Sequence, residues 1–134
     1  MAHYISILIA TLFLTLSSFR DMKSPSYTYA DGSGNLYKIS TDSIECIPVT
    51  KENSSTGMYS GGEPAKKAIS ESDYKSIQLA VEELFSNKSI HIKDRIKTSG
   101  MITMVQGKRE KSVIFNSSEE KDSFEKMLKE LLNS

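Results

Sequence analysis

Only one cysteine, Cys46, occurs in this chain. No internal disulfide can form, so core packing must hold the fold. Neither sign of charge is in excess. The 17 basic residues balance the 17 acidic ones, and global charge therefore points to no class of partner. Histidine is almost as scarce as cysteine, with His3 and His91 the two present. A zinc site would need three or more ligands from scattered positions, with no close Cys/His pairing. Gly57, Gly61 and Gly62 lack the spacing and the Gly-Lys-Ser/Thr ending of a phosphate loop. The expectation is a non-enzymatic chain without metal or cofactor.

A long hydrophobic run is also lacking. Ile5 to Leu16 is apolar apart from Ser6, Thr11 and Thr15, about a dozen residues against the roughly 20 that span a bilayer core. Ser17 and Ser18 follow, then a polar stretch from Arg20 to Ser26, which is the order of h-region, cleavage region and mature start in a secretory signal. Residues 1–19 read as a signal peptide cleaved near Ser18 or Phe19, and residues 20–26 as a flexible mature N-terminus. Residues 27–134 read as a single α+β domain. A secreted or periplasmic location follows. Met1 to Tyr4 carries no Lys or Arg, so an uncleaved signal anchor that tethers the domain to a membrane is the alternative. Lipidation finds no cysteine between Ser17 and Met22.

What the chain does contain is alternation and helical periodicity. Tyr27 to Ala30 and Leu36 to Ser40 flank Asp31-Gly32-Ser33-Gly34-Asn35, a strong hairpin signal. Ile44 to Val49 predicts a third strand, which Pro48 confines to an edge or an end. From residue 50 to 68 no period is found, and loops of this length are functional or disordered. Ser70 with Asp73 forms a capping box for a helix over Glu71 to Ser86, stopped at Asn87, with Tyr74, Ile77, Val81, Leu84 and Phe85 as its apolar stripe. Ile90, Ile92 and Ile96 alternate with His91, Lys93, Arg95 and Lys97, which predicts a half-buried strand. Met101 to Gln106 and Ser112 to Asn116 predict a second hairpin around residues 107–111. Ser117 and Glu120 then cap a helix with Phe124, Met127, Leu128, Leu131 and Leu132 on one side. The fold class is α+β: a mainly antiparallel sheet of about six strands with two amphipathic helices on one face. The helices superpose at an offset that lays Ser70 on Ser117 and Val81 on Leu128. A duplicated βββα unit and two unrelated capped helices both account for that.

Two stretches stand out as binding candidates. The first is the 50–68 loop, where Met58 and Tyr59 are large side chains among small polar residues, with Gly57, Gly61 and Gly62 beside them. Glycine permits unusual backbone angles, and large side chains on a rigid base anchor in partner pockets. The loop reads either as a connector or as a recognition element, such as that of an inhibitor, for an unknown extracytoplasmic protein. The second is a basic stripe of His91, Lys93, Arg95 and Lys97 on one strand face with Lys108, Arg109 and Lys111 in the next turn. It suits an anionic glycan, a lipid head group or another envelope anion, or else serves to blunt a sheet edge. Nucleic acid is not expected, because the stripe has no interleaved aromatics for base stacking. A Cys46–His91 thiol and base pair is the enzymatic alternative, although Cys46 lies in an apolar strand context. Asn53, Asn87 and Asn116 begin N-glycosylation sequons.

Overall fold

The computed structural model describes residues 23–134. The apolar run, the expected cleavage site and His3 lie outside the described residues. Seven strands form one sheet in the order β4-β3-β2-β1-β6-β7-β5. In chain order they are β1 (Ser26–Ala30), β2 (Leu36–Ile39), β3 (Ser43–Ile47), β4 (Ala65–Ala68), β5 (His91–Ile92), β6 (Gly100–Gln106) and β7 (Arg109–Phe115). Helix α1 (Glu71–Ser86) follows β4 and helix α2 (Glu119–Asn133) follows β7. Every pairing is antiparallel. The expected α+β class is borne out, with one strand more than anticipated.

The additional strand is β4, which the 50–68 reading placed in loop. Its sequence, Ala-Lys-Lys-Ala, has little β propensity of its own. It is extended because β3 offers an unpaired edge, with Cys46 opposite Ala65 and Ser43 opposite Ala68. Lysines suit a strand that ends a sheet. The opposite correction applies to the stripe. The alternation from Ile90 to Lys97 predicts one strand, yet Lys88–Ile90 forms a 3₁₀ turn and only His91–Ile92 pairs, with Phe115 and Ile114. β7 stands between β5 and β6, so residues 93–99 must cross its end. Ser99 shapes that crossing: its hydroxyl accepts from Ile96 N (3.0 Å) and donates to Ile96 O (2.7 Å).

Register explains the two layers. The row Cys46, Tyr37, Tyr29, Ile102, Val113 points to the helices, and its neighbours two residues along do the same. Tyr74, Ile77, Val81 and Leu84 of α1 and Phe124 and Leu128 of α2 close onto them in one core. Tyr29 is fully buried, stacked on Phe115 with ring centroids 6.1 Å apart and edge-on to Phe124 at 5.1 Å. The outer face carries an apolar row, Ile47, Leu36, Ala30, Met101, Ile114 and Ile92, across every strand but β4 near one end. The next outward row is polar, running Glu45, Lys38, Thr28, Thr103, Ser112.

The first half runs β1-β2-β3-β4 as a meander, whereas the second runs β6-β7-β5. The two halves are therefore connected differently, and the chain does not repeat one unit. The capping box at Ser70 and Asp73 is present and Asn87 ends α1, as expected. Helix α2 is capped by Ser118 rather than Ser117, its hydroxyl accepting from Lys121 N at 3.1 Å. Glu120 turns instead to Asn87, whose amide donates to it at 3.0 Å and joins the end of one helix to the start of the other. The stretch before β1 is tied down as well, with the Lys23 and Pro25 carbonyls accepting from Gln106 and the Tyr74 hydroxyl.

Gly100 sits where the core is tightest. A Cβ there would lie 2.7 Å from both the Tyr29 hydroxyl and the Phe115 ring, so Gly100→Ala forces two large side chains to move. The expected loss is about 1–3 kcal/mol, read as a lower urea midpoint with an unchanged slope.

Candidate functional site

Antiparallel register decides which segments meet. Ala30 faces both Leu36 and Met101, and Leu36 faces Ile47. The β1–β2 turn, the exit from β3 and the 93–99 crossing therefore gather at one end of the sheet. The β6–β7 turn lies at the other end, about 20 Å away along a seven-residue strand. This divides the basic stripe. Arg95 and Lys97 belong to the first end, while Lys108, Arg109 and Lys111 belong to the second, where the Lys111 ammonium sits 4.9 Å from the Phe85 ring centroid. Lys93 is exposed in the crossing. His91 is no member of a polar face, because its Nε2 donates to the Leu84 carbonyl at 2.7 Å and satisfies the last turn of α1. Cys46 and His91 are also kept apart, since β2, β1, β6 and β7 separate their strands, a span of about 24 Å at the usual strand spacing. Burial pushes the Cys46 thiol up, against the opposing effect of a hydrogen bond with Tyr37. Among the described residues no cluster of three or more His, Cys, Asp or Glu side chains is placed to hold a metal. No helix among them is long and apolar enough to cross a membrane.

The β1–β2 turn organises the gathered end. Asp31 Oδ1 accepts from Ser33 N and Asn35 N, each at 2.9 Å, and Oδ2 accepts from Asn35 Nδ2 at 2.9 Å. The amide of Asn35, 9% exposed, is thereby turned so that its Oδ1 accepts from Val49 N at 3.0 Å. Val49 O in turn accepts from Gly61 N at 2.9 Å. A side chain at Gly61 would place Cβ 2.0 Å from Asn35 Oδ1, so the loop closes only with glycine there. Gly57 and Gly62 have φ of 68° and 99°, the left-handed angles that glycine supplies. On the other side, Arg95 Nη2 donates to Asp31 O at 2.9 Å, and Lys97 O lies against Gly32. One turn therefore holds both the loop and the crossing.

Two clefts flank this turn. The first, of about 780 Å³, opens between the outer-face residues Leu36 and Ile47, the loop residues Val49 and Tyr59, and Arg95 and Lys97. The second, of about 430 Å³, lies on the helix side between Tyr37, Tyr59, Lys97 and the α2 residues Lys121, Glu125 and Lys129. No family model, curated protein or solved structure matches this chain. Tyr59 and Lys97 are thus common to both clefts. Met58 stands beside them with 81% of its surface exposed. Of the six exposed large hydrophobic side chains among the described residues, Ile47, Met58, Tyr59 and Ile96 are at this end of the sheet.

The floor of the second cleft is a charged network reaching into the core. Glu125 Oε1 accepts from the Tyr29 hydroxyl at 2.6 Å and pairs with Lys121 Nζ at 2.8 Å. Lys121 is 7% exposed, and Glu125 is the carboxylate that offsets the cost of burying its ammonium group. Burial first, and then the hydrogen bond to Glu125, hold the Tyr29 hydroxyl far above the usual phenol range. Burial does the same for Tyr27 and Tyr37. Lys97 and Lys129 form no salt bridge among the described residues. Sequence reading found Tyr59, Arg95 and Lys97 but missed Asn35, Lys121, Glu125 and Lys129. The four-residue spacing of the last three marks one helix face, but that spacing is ordinary for exposed ion pairs.

Removing the Asn35 bridge tests the loop's anchorage. Asn35→Ala leaves Val49 N and Asp31 Oδ2 without their partner and is expected to cost about 1–3 kcal/mol. Amide exchange over residues 49–61 should accelerate more than exchange in β6. A second expectation concerns pH. In the unfolded chain the tyrosines release protons near 10, while the folded state retains them. Above that pH the unfolded state binds fewer protons, so stability is fully present below about 10 and falls as pH rises further. Thermal midpoints from about pH 8 to 11.5 should show that fall, and Tyr29→Phe should make it shallower.

Proposed function

We propose that this chain is an exported, non-enzymatic interaction module that engages another protein through the loop following β3, with Met58 and Tyr59 as anchors. The observation that carries this reading is the gathering of four of the six exposed large hydrophobic side chains, Ile47, Met58, Tyr59 and Ile96, at one end of the sheet. Contiguous exposed apolar surface rimmed by polar groups is the usual mark of an interaction site. Anchorage supports it further. The loop is held at both ends by Asn35 and by the Val49–Gly61 hydrogen bond, so Met58 and Tyr59 are presented from a fixed base, which lowers the ordering cost of association. Export rests on the apolar run Ile5 to Leu16 and the small and polar residues after it. A loop projecting from a rigid sheet suits occlusion of a partner's cleft, so inhibition of an extracytoplasmic enzyme is the form of interaction to assay first. The basic stripe is less favoured as a single site, since its members divide between the two ends of the sheet.

Capture from the extracytoplasmic fraction of the source is the test. The chain from Asp21 onward is immobilised beside its Met58→Ser/Tyr59→Ser variant, with circular dichroism to check that both are folded. One protein should be retained by the first and reduced about tenfold or more by the double substitution, the scale expected of interface anchors. Equal retention by both, or retention of no protein, would reject the loop as the contact.

A further inference from the structure

The second cleft carries a chemistry that a protein contact through Met58 does not use. Its volume of about 430 Å³ lies within the roughly 300–1,000 Å³ of small-molecule sites. Five charged side chains line it: Lys97, Lys121 and Lys129 against Asp31 and Glu125. Both carboxylate oxygens of Asp31 are filled by donors from its own turn. Lys121 is spent on Glu125 Oε1, which also takes the Tyr29 hydroxyl. Two ammonium groups remain without a carboxylate among the described residues, Lys97 from the crossing and Lys129 from α2. Net charge across the five is a single positive, which matches a monoanion. A ligand placing two or more negative charges inside the cleft would be pressed against Glu125 and Asp31.

The rest of the lining selects what accompanies that negative charge. Glu125 keeps a second carboxylate oxygen as acceptor, and Ser33, Tyr59 and Ser117 bring hydroxyls to the same cleft. Such groups reward a ligand rich in hydroxyls and leave a simple apolar acid poorly matched. Tyr59 also offers a half-exposed ring, an apolar face with a polar tip. We propose that this cleft binds a sugar acid, its carboxylate on Lys97 and Lys129, its hydroxyls on Glu125 and Ser117, and one face of its ring on Tyr59. The free monosaccharide acid and the terminal residue of an acidic glycan share this chemistry.

The experiment is a ¹H–¹⁵N titration of the protein, expressed full length and purified in the form its host yields, with D-glucuronate, D-galacturonate, trigalacturonate, D-glucose and acetate. At least one uronate should give saturable shifts centred on Lys97, Ser117 and Lys129, with Kd in the millimolar range or tighter. Glucose and acetate should bind at least tenfold more weakly. Tighter binding of trigalacturonate than of its monomer assigns the ligand to a glycan end, and equal binding assigns it to the free acid. Lys97→Gln/Lys129→Gln should weaken binding at least tenfold, whereas Lys108→Gln/Arg109→Gln at the far end of the sheet should leave it unchanged. The proposal is overturned by absence of saturable shifts with every uronate, by acetate binding as tightly, or by affinity that survives the Lys97 and Lys129 substitutions. This inference does not rest on the protein-binding reading. Met58 lines neither cleft, so Met58→Ser should reduce protein capture and leave the titration intact.

Discussion

The hydroxyl of Tyr29 must find an acceptor inside a closed core, and it finds Glu125. Burying a hydroxyl without a partner costs free energy on the scale of a large mutational defect. The bond therefore constrains how α2 sits on the sheet. Once Glu125 is drawn toward Tyr29, Lys121 one turn earlier comes with it and neutralises the carboxylate from the cleft side. Stacking of Tyr29 on Phe115 and its edge contact with Phe124 fix the ring that carries the hydroxyl. Gly100 leaves room for that ring because it has no side chain. One buried tyrosine thus links the middle of the core to the floor of the second cleft, and the cleft's charge pattern is a consequence of core packing.

A second constraint acts at the surface. Asp31 and Asn35 convert a hairpin turn into a hub, because a carboxylate with two oxygens and an amide with both donor and acceptor can satisfy several backbone groups at once. The loop after β3 and the crossing before β6 are otherwise long stretches of backbone with few ladder partners. Tied to the turn, they become walls of clefts. This is why four of the six exposed large apolar side chains, with Lys97 and Lys129, which have no carboxylate partner among the described residues, occupy one end of the sheet, while the β6–β7 turn lies at the other end, with the Lys111 ammonium over the Phe85 ring.

Much of the architecture was legible because it is local. The capping box at Ser70 and Asp73, the stripe from Tyr74 to Phe85 and the stop at Asn87 are all determined within a few residues of each other, and the helix forms where they predict. The Asp-Gly-Ser-Gly-Asn turn and the paired runs around it behave the same way. The misreadings share a different cause. Ala65–Ala68 lacks strand character and becomes a strand because β3 has a free edge. Ile90 to Lys97 has strand alternation and leaves the sheet because β7 occupies the place between β5 and β6. In both, a neighbour distant in sequence overrides local preference. The candidate site divides along the same line. Tyr59 and Lys97 were visible as unusual residues in polar or alternating stretches, whereas Lys121, Glu125 and Lys129 resemble any solvated helix face until Tyr29 is placed beneath them.

By itself the sequence determined the α+β class, the two helices with the limits of the first, the two hairpins and the apolar helix positions that face the core. These follow from periodicity and from turn and capping chemistry, which act over short range. Tertiary structure alone decided that the loop and Lys97 meet, that Lys108 and Arg109 do not join them, that the strands of Cys46 and His91 are separated by four others, and that Asn35 is buried. Those outcomes depend on strand order and on which groups must find hydrogen-bond partners when water is excluded, and neither is encoded in any short stretch of the chain.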